Sequence, residues 1–460
     1  MTFADWPWRH WGNIQRDKTA LIIDDLPLTW QALCQRVDRL AAGFIAQGVR
    51  EGDGVALRAA NSPSVLLAWL ALMQSGARIL PINPKLPAML LGELLPAMTL
   101  RFALDLAGDA MTLNFTPLTL CESHESDAVQ VPWRADRLVS MTLTSGSSGL
   151  PKAAVHTPEA HLASAEGVLT LMPFRHGDNW LLSLPLFHVS GQGILWRWLL
   201  AGATITVRDL HPLHQALAGC THASLVPTQL WRLLTQSLLP KSLTHVLLGG
   251  AAIPVELSKE AEARGVNCWC GYGLTEFAST VCAKRADGLP DVGYALAGRE
   301  VKLIEGEILL RARSMASGYW RNGKLAALSD EDGWFHTRDR GALEQGKLTV
   351  IGRLDNLFFS GGEGIQPEDV ERVIVRHPEV SQCFVVPIAD AEFGQRPVAV
   401  VECAQALIPE SLAIWATDKL AGFQLPVRWL RLPQALANGG IKISRREVQR
   451  WVAAGGQDAP

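Results

Sequence analysis

Residues 142–152 read TLTSGSSGLPK and follow LVSM, an apolar, strand-like segment at residues 138–141. The glycines let backbone N–H groups turn toward an anion, the hydroxyl groups add donors, and Lys152 adds positive charge. The loop is therefore predicted to bind a polyphosphate. It differs from the Walker sequence because Pro151 precedes the lysine and Ala153 follows it. A flexible Gly/Ser linker is the alternative interpretation, but strong apolar segments flank both sides.

The composition around this loop is that of a globular enzyme. The chain has 460 residues, of which 48% are hydrophobic and 19% charged, and its net charge is −3. This length predicts two or three domains, and this charge favours neither nucleic acid nor an anionic membrane as a partner. The longest apolar run, residues 65–73, is too short to span a bilayer, and no signal peptide precedes it. We therefore expect a cytoplasmic protein with small-molecule substrates, no nucleic-acid partner and no integral membrane segment.

Strand and helix candidates alternate along the first three quarters of the chain, which predicts an α/β fold with largely parallel sheets flanked by helices. After about Gly298 the pattern changes, and residues 299–304 and 307–312 predict a β-hairpin of a β-rich subdomain. We place a large N-terminal domain at residues 1–354 and a small α+β domain at residues 355–460. Helices are expected at 63–75, 193–201, 227–236, 254–264, 368–377, 410–421 and 444–453, and strands at 54–58, 180–184, 203–207, 221–226, 244–248, 380–387, 397–402 and 427–432.

Two further glycine-rich turns follow strand candidates. Residues 249–254 read GGAAIP, and residues 271–276 read GYGLTE. In the second turn an aromatic ring can stack on a base, a hydroxyl group can hold a phosphate, and a carboxylate can hold Mg²⁺. Ordinary strand-to-helix or tight turns are the alternative for each motif alone.

The order and spacing of these motifs resemble those of the adenylate-forming superfamily, which comprises acyl-CoA synthetases, luciferases and peptide-synthetase adenylation domains. The resemblance covers essentially the whole chain. It rests on residues 144–152, on PLFH at 185–188, on GGAAIP at 249–254, on YGLTE at 272–276, on TRD at 337–339, on GRLD at 352–355, on GGEGI at 361–365 and on GIKISR at 440–445.

This resemblance implies ATP and CoA as substrates, Mg²⁺ as cofactor and a fold with a mobile C-terminal domain. The nucleotide would be bound by Thr144, Ser145, Gly146, Ser147, Ser148, Gly149, Lys152, Gly249, Gly250, Ala251, Gly271, Tyr272, Gly273, Thr275, Asp339, Arg353 and Lys442. Within this set, Tyr272 flanks adenine, Asp339 holds the ribose with help from Arg353, and Thr275 binds phosphate. Catalytic roles fall to Lys442, Glu276, Thr275 and His188, and metal binding to Glu276 and Thr144.

In the superfamily a carboxylate first attacks ATP to give acyl-AMP and pyrophosphate, and the CoA thiol then attacks the acyl-AMP. The resemblance implies that the small domain turns about Asp355 between the two steps and that Lys442 serves the first. Gly361 and Gly362 would border the CoA tunnel. Two positions depart from the superfamily pattern, since Arg338 stands for a glycine and Gly364 for an asparagine. We assign no role to either.

The resemblance places the acyl pocket around residues 190–200, where Arg197 lies between two tryptophans in an apolar helix. Burying its charge is costly unless it is paired, so Arg197 is a candidate receptor for a second carboxylate of the substrate. A guanidinium that reaches water along an apolar stem is the alternative. His188, a pocket wall or a core histidine, and Ser190, Gln192, Ser224 and Thr228 complete the candidates.

Several segments are similar to one branch of the superfamily, whose acid keeps one carboxylate while the other is activated. They are residues 6–11, 184–193, 196–198, 221–230, 277–281 and 438–445. The alternatives are another aryl- or short-chain acyl-CoA ligase, an adenylation enzyme that loads a carrier protein, and a non-catalytic ATP-binding protein. The sequence leaves the oligomeric state open, a homo-oligomer included.

Overall fold

The computed structural model describes residues 2–109, 113–123, 131–144, 152–251, 253–437 and 443–456. Thirteen helices occur within these ranges. They are α1 Pro7–Ile14, α2 Trp30–Ala46, α3 Pro63–Gln74, α4 Ala88–Leu94, α5 Pro158–Leu171, α6 Val189–Ala201, α7 Leu213–Ala216, α8 Pro227–Thr235, α9 Val255–Ala263, α10 Pro367–Ile374, α11 Leu412–Thr417, α12 Gln434–Ala437 and α13 Arg445–Ala453.

The described ranges also contain twenty-six strands, of which the first fifteen belong to two large sheets. They are β1 Thr19–Ile23, β2 Leu26–Thr29, β3 Gly54–Arg58, β4 Arg78–Ile82, β5 Phe102–Asp105, β6 Thr116–Pro117, β7 Ser140–Thr144, β8 Lys152–His156, β9 Asn179–Leu181, β10 Thr204–Val207, β11 His222–Leu225, β12 His245–Leu248, β13 Asn267–Leu274, β14 Ser279–Arg285 and β15 Tyr294–Ala295.

The remaining strands form smaller sheets, except that two of them extend one of the large sheets. They are β16 Arg299–Ile304, β17 Glu307–Ala312, β18 Gly318–Arg321, β19 Lys324–Ala326, β20 Phe335–Glu344, β21 Lys347–Arg353, β22 Phe358–Ser360, β23 Glu363–Ile365, β24 Val380–Asp390, β25 Gly394–Cys403 and β26 Arg428–Arg431.

Two mixed sheets form the large part of the molecule. One has nine strands in the order β15-β14-β13-β12-β11-β9-β10-β1-β2, and the other has eight in the order β19-β18-β8-β7-β4-β3-β5-β6. Their central strands pair in parallel and are buried, and antiparallel strands lie at both edges of the nine-stranded sheet and at one edge of the eight-stranded sheet. Buried parallel strands need helices on their faces, as the alternating sequence pattern predicted.

Helix α6 is the most deeply buried of the helices that bear on the site, and tryptophans anchor it. The rings of Trp198 and Trp30 are stacked with their centroids 5.2 Å apart. Trp198 donates its indole N–H to the carbonyl of Ala20, and Trp11 donates to the carbonyl of Leu199. Buried indoles usually find such partners, and here they fix α6 against α1, α2 and β1.

The last two units are smaller. Strands β16, β17, β20 and β21 make an antiparallel sheet, which is the predicted β-rich subdomain, and its first hairpin has the predicted boundaries. Strands β24, β25 and β26 form the sheet of a small α+β unit, on which α10 and α13 pack. The predicted fold class is confirmed.

Several element predictions were wrong at their ends, among them the helix expected at 368–377, which ends at Ile374, and the strands expected at 380–387 and 397–402, which are β24 and β25. The strand expected at 180–184 ends at Leu181, because Asn61 bonds the carbonyl of Leu184 and the amide of Leu186 and draws the chain out of the sheet. The helix expected from 193 begins at Val189 despite its glycines. The helix expected at 410–421 is a 3₁₀ turn followed by α11, which ends at Thr417.

Candidate active site

Strands β7 and β8 flank the predicted phosphate loop. They pair antiparallel, with Thr144 opposite Lys152, so the hydroxyl-bearing and the charged end of the loop meet across the hairpin. Lys152 is exposed and Thr144 is half-buried. The loop residues between them lie outside the described residues, namely Ser145, Gly146, Ser147, Ser148 and Gly149.

Strand β13 brings the GYGLTE motif next to the hairpin of β7 and β8. Its glycines allow close backbone approach, because a Cβ on Gly273 would lie 1.9 Å from the carbonyl oxygen of Ser279. A 3₁₀ turn, Thr275–Phe277, follows and packs against β7 and β8. Thr275 and Glu276, both half-buried, therefore lie beside the phosphate-loop hairpin.

Glu276 has a partner that the sequence analysis did not name. The hydroxyl group of Tyr319 donates a hydrogen bond of 2.6 Å to Oε1 of Glu276. Burial and the Glu276 charge raise the pKa of Tyr319 above its usual value, so this phenol stays protonated and remains a donor. A side chain of strand β18 thus binds one carboxylate oxygen of Glu276, the candidate metal ligand.

The candidate ribose site forms where β20 and β21 pair. Asp339 lies opposite Arg353, whose Nη1 is 3.0 Å from Oδ1 of Asp339. The Tyr272 hydroxyl donates to Oδ2 at 2.6 Å. Burial raises the pKa of Tyr272 well above its usual value, and the Asp339 charge adds to this. Tyr272 thus braces the carboxylate through its hydroxyl group, and the structure joins three predicted nucleotide residues in one cluster.

The turn Gly249–Gly250–Ala251 lies next to this cluster. It follows β12, which pairs in parallel with β13, so both motifs emerge at the carboxyl ends of neighbouring strands. A Cβ on Gly249 would lie 3.4 Å from the carbonyl oxygen of Gly271, which shows how closely the turns approach. Gly250 has a φ of 84°, a conformation that favours glycine.

The candidate hinge residue, Asp355, is tied to the position that departs from the superfamily pattern. Arg338 has a φ of 60°, so it keeps the left-handed conformation that suits the glycine of the superfamily. Its Nη2 is 2.8 Å from Oδ1 of Asp355, and this guanidinium is the main cause of the lowered pKa of Asp355. Gly361 and Gly362 form the exposed turn between β22 and β23, with φ values of 58° and 87°.

The predicted catalytic lysine, Lys442, lies outside the described residues, but the chain that follows it is anchored. Arg445 begins α13 and donates to both carboxylate oxygens of Glu371 on α10, at 2.5 and 2.9 Å. It also donates to the carbonyl of Val385 on β24. This half-buried ion pair fastens the start of α13 to the sheet of the small unit.

The centre of α6 holds a buried cation, so the alternative in which the Arg197 head group reaches water is wrong. Arg197 is 1% exposed, and among the described residues its Nη2 has only long contacts of 3.4 Å, to the hydroxyl groups of Ser279 and Thr280. Its Nε has no hydrogen-bond partner among the described residues. Oγ of Ser224 is also buried and also has no such partner among them. Burial lowers the pKa of Arg197, and the nearby Arg299 lowers it further.

Arg299 has the opposite character, since backbone carbonyls satisfy it. Its guanidinium donates to the carbonyls of Thr280, Ala297 and Ser164 at 2.8–3.1 Å. Two buried cations therefore lie near each other, and of the two it is Arg197 whose Nε has no partner in the described part of the chain. Neither forms an ion pair with a carboxylate within 4.0 Å in the described part of the chain.

The other acyl-pocket candidates differ in how occupied they are. Gln192 exchanges hydrogen bonds with Thr142 and donates to the carbonyl of Leu186, so its side chain braces α6 against β7. His188 is the N-cap of α6 with its ring 4.9 Å from that of Phe187. Ser190 and Thr228 are half-buried near the starts of α6 and α8.

Comparison with known proteins bears on this arrangement. A family model described as AMP-binding enzyme matches residues 8–320, and one described as AMP-binding enzyme C-terminal domain matches residues 369–436. A 2-succinylbenzoate–CoA ligase of Salmonella typhimurium is 65% identical over 452 residues, which cover 98% of this chain and 99% of that protein. The chain belongs to the 2-succinylbenzoate–CoA ligases.

Solved structures of this ligase family have the same fold. A variant of Escherichia coli MenE with bound OSB-AMS matches with a TM-score of 0.94 and 62% identity, covering 99% of this chain and 100% of the other. MenE from Bacillus subtilis in complex with ATP and magnesium ion matches with a TM-score of 0.82 and 26% identity, covering 93% and 96%. The predicted superfamily, adenylate-forming fold and acid–thiol ligase activity are thus confirmed.

The residues that sequence reasoning missed in this 2-succinylbenzoate–CoA ligase are partners rather than motif members. Tyr319 is 43 residues from Glu276 in the chain, and Arg445 is 74 residues from Glu371. A tyrosine that follows a glycine in a short strand carries no signal of such a contact.

No helix of the described ranges is both long and apolar enough to cross a membrane.

Proposed function

We infer that this protein joins 2-succinylbenzoate to CoA at the expense of ATP, a step of menaquinone biosynthesis. One carboxylate attacks the α-phosphate of ATP and displaces pyrophosphate, and the CoA thiol then attacks the acyl carbonyl and displaces AMP. The single observation that supports the substrate class best is Arg197, a buried cation on the predicted acyl helix whose Nε has no partner among the described residues. A carboxylate that the reaction leaves intact would satisfy it.

The proposed roles in nucleotide binding rest on a carboxylate whose hydrogen-bond partners are known from the structure. We propose that Asp339, aligned by Arg353 and Tyr272, accepts hydrogen bonds from the ribose hydroxyl groups. Gly249, Gly250 and Ala251 would wall the adenine site, with the Tyr272 ring beside the base. Thr144, Thr275 and Lys152 would bind the phosphates together with the loop between residues 145 and 149.

The donors at the phosphate end suit Mg²⁺. The carboxylate of Glu276 and the hydroxyl group of Thr144 are hard oxygen ligands, and Mg²⁺ commonly takes one or two carboxylates plus substrate phosphates. The described residues hold no cluster of three or more His, Cys, Asp or Glu side chains arranged for a metal, and this mode of binding needs none. When bound, the ion would neutralise phosphate charge.

Lys442 would neutralise charge between the carboxylate and the α-phosphate while the adenylate forms. The domain boundary at residues 354 and 355 would let the small domain turn about Asp355. This turn would take Lys442 out of the active site and bring in the face of the domain that carries Gly361 and Gly362. Arg445, paired with Glu371, would hold α13, which follows Lys442 in the chain, against that domain.

The test measures pyrophosphate and AMP release from ATP with 2-succinylbenzoate or benzoate, each with and without CoA. Turnover to the thioester with 2-succinylbenzoate and CoA alone is the expected result. Pyrophosphate release without thioester would instead indicate a carrier protein as the acceptor. Turnover with benzoate but not the dicarboxylate would retain the ligase chemistry and remove the role proposed for Arg197.

A further inference from the structure

Tyr319 lies between two groups that the proposed function places around the ATP phosphates. It belongs to β18, which pairs with β8 so that Tyr319 is opposite Ala154, two residues after Lys152. Its hydroxyl group donates to Oε1 of Glu276 at 2.6 Å. On the other side, Nζ of Lys152 lies 5.0 Å from the centroid of its ring. One side chain thus contacts both the acid and the cation.

The backbone that presents Tyr319 is fixed to the same two elements. The amide of Ala316 donates to the carbonyl of Glu276 at 2.8 Å, and the amide of Ser317 donates to the carbonyl of Val155 at 2.8 Å. The segment before β18 is therefore bonded to the Glu276 turn and to strand β8. A side chain carried on such a frame can hold its contacts with little loss of conformational entropy.

A free carboxylate and a free ammonium at the two sides of a phosphate site attract each other. If they paired directly, each would be neutralised and the phosphate would have to break the pair. A phenol that donates to the carboxylate leaves its second oxygen available, and the face of the same ring attracts the ammonium.

We propose that Tyr319 is a positioning residue, which orients Glu276 toward the metal and keeps Lys152 apart from it for the phosphates. This inference rests on the proposed function, in which Glu276 holds the metal and Lys152 a phosphate. It adds a residue from outside the sequence motifs, and it separates two contributions, since the hydroxyl group acts on Glu276 and the ring acts on Lys152.

The first experiment compares Tyr319→Phe with the wild-type protein. Mn²⁺ replaces Mg²⁺, a non-hydrolysable ATP analogue is present, and electron paramagnetic resonance measures the dissociation constant of Mn²⁺. Loss of a hydrogen bond that orients a metal ligand costs about 10- to 100-fold in metal affinity, and we expect at least tenfold here. Metal-free affinity for the analogue should change by less than about twofold, because the ring remains beside Lys152.

Tyr319→Leu separates the two contributions. It should show the same loss of Mn²⁺ affinity and, in addition, an approximately threefold weaker metal-free affinity for the analogue, because the ring face is gone. Tyr294→Phe is the matched control, since Tyr294 is 54% exposed and Phe replaces Tyr in the same way. It should leave both affinities and the melting temperature at wild-type values.

A coupled variant tests whether Tyr319 acts through Glu276. In a Glu276→Gln background, Tyr319→Phe should cause no further loss of Mn²⁺ affinity, whereas a loss equal to that in the wild-type background would overturn the proposal. Unchanged Mn²⁺ affinity in a folded Tyr319→Phe protein would also overturn it. If the wild-type protein itself failed to bind Mn²⁺ with the nucleotide, the proposed function would fail instead, so the two failures are distinguishable.

Discussion

The nucleotide end and the acyl end of the site satisfy their charged groups in opposite ways. At the nucleotide end, Asp339 has Tyr272 and Arg353 as partners, and Glu276 has Tyr319. At the acyl end, Arg197 is buried with a donor that no described group accepts. Burying a cation without hydrogen-bond partners costs free energy of folding, whereas partners offset that cost for a paired group and fix its orientation. With the roles proposed above, the difference implies that the nucleotide end is arranged before substrate arrives, while a carboxylate of the substrate would complete the acyl end.

The largest expected effect concerns Lys442, which would act at the junction of the two ends. Lys442→Ala should reduce adenylate formation by about three decades, because a cation at the point of developing charge is lost. Conversion of supplied acyl-AMP and CoA to thioester should remain near the wild-type rate. Rapid-quench measurement of each half-reaction checks this, with the exposed Lys419→Ala as control. Equal loss in both half-reactions would contradict the hinge assignment.

Arg197→Ala tests the acyl end. Removing one partner of a buried charge pair costs about 2–5 kcal/mol, so we expect KM for 2-succinylbenzoate to rise about 100-fold. The dissociation constant of ATP and the melting temperature should stay near wild type. The effect should vanish with an analogue that lacks the retained carboxylate. A drop in ATP binding or in folding would instead identify Arg197 as a structural residue.

The burial of two histidines near β7 and α6 predicts that the free energy of unfolding decreases in acid. His161 contacts the Ser140 hydroxyl group of β7 at 2.8 Å and stacks on Trp196 of α6. Burial lowers the pKa of His161 and that of its neighbour His156, the latter to about 4. Since the unfolded chain binds these protons more readily, the free energy of unfolding should fall as pH drops from about 6.5 toward 4, by about 3 kcal/mol for His156.

Denaturant titrations at pH 7, 6 and 5 measure this slope. His156→Gln should flatten it, whereas His176→Gln, a change at an exposed histidine, should leave it as in the wild-type protein. A slope that is unchanged in His156→Gln would show that other groups cause the acid sensitivity.

Tyr272→Phe tests how far the nucleotide end is braced. Asp339 keeps its ion pair with Arg353 when the hydroxyl group is lost, so the dissociation constant of ATP should rise only about tenfold. Isothermal titration calorimetry with a non-hydrolysable analogue measures it, and KM for 2-succinylbenzoate should not change. A loss as large as that expected for Arg197→Ala would contradict the contrast between the two ends.

The smallest effect is expected at Arg338, whose ion pair with Asp355 is solvent-exposed. Exposed pairs contribute about 0–1 kcal/mol, and glycine relieves the left-handed conformation at this position. Arg338→Gly should therefore keep the melting temperature and change the ratio of the two half-reaction rates by about two- to fivefold at low salt. High salt should remove the difference, and a change that persisted there would exclude the ion pair as its cause.

Local backbone requirements made much of the fold and the close approach of the glycine-rich turns predictable. The hairpin at residues 299–312 has its predicted boundaries, and the glycines at 249–250 and 271–273 permit the close approach of two parallel strand ends. The helix expected at 410–421 was wrong in length, because its sequence pattern does not reveal that the chain turns away after Thr417. Side-chain pairing across distant strands was not predictable either, since no periodicity records it.

The sequence by itself determined the superfamily and the fold class, and it predicted the residues that face the nucleotide, because each depends on short motifs with their own backbone geometry. Only the tertiary structure decided which groups are satisfied. Tyr319 meets Glu276, Arg338 meets Asp355, and Arg197 keeps a donor without a partner among the described residues. These outcomes depend on burial and on distances between segments far apart in the chain, which the packing of the sheets alone establishes.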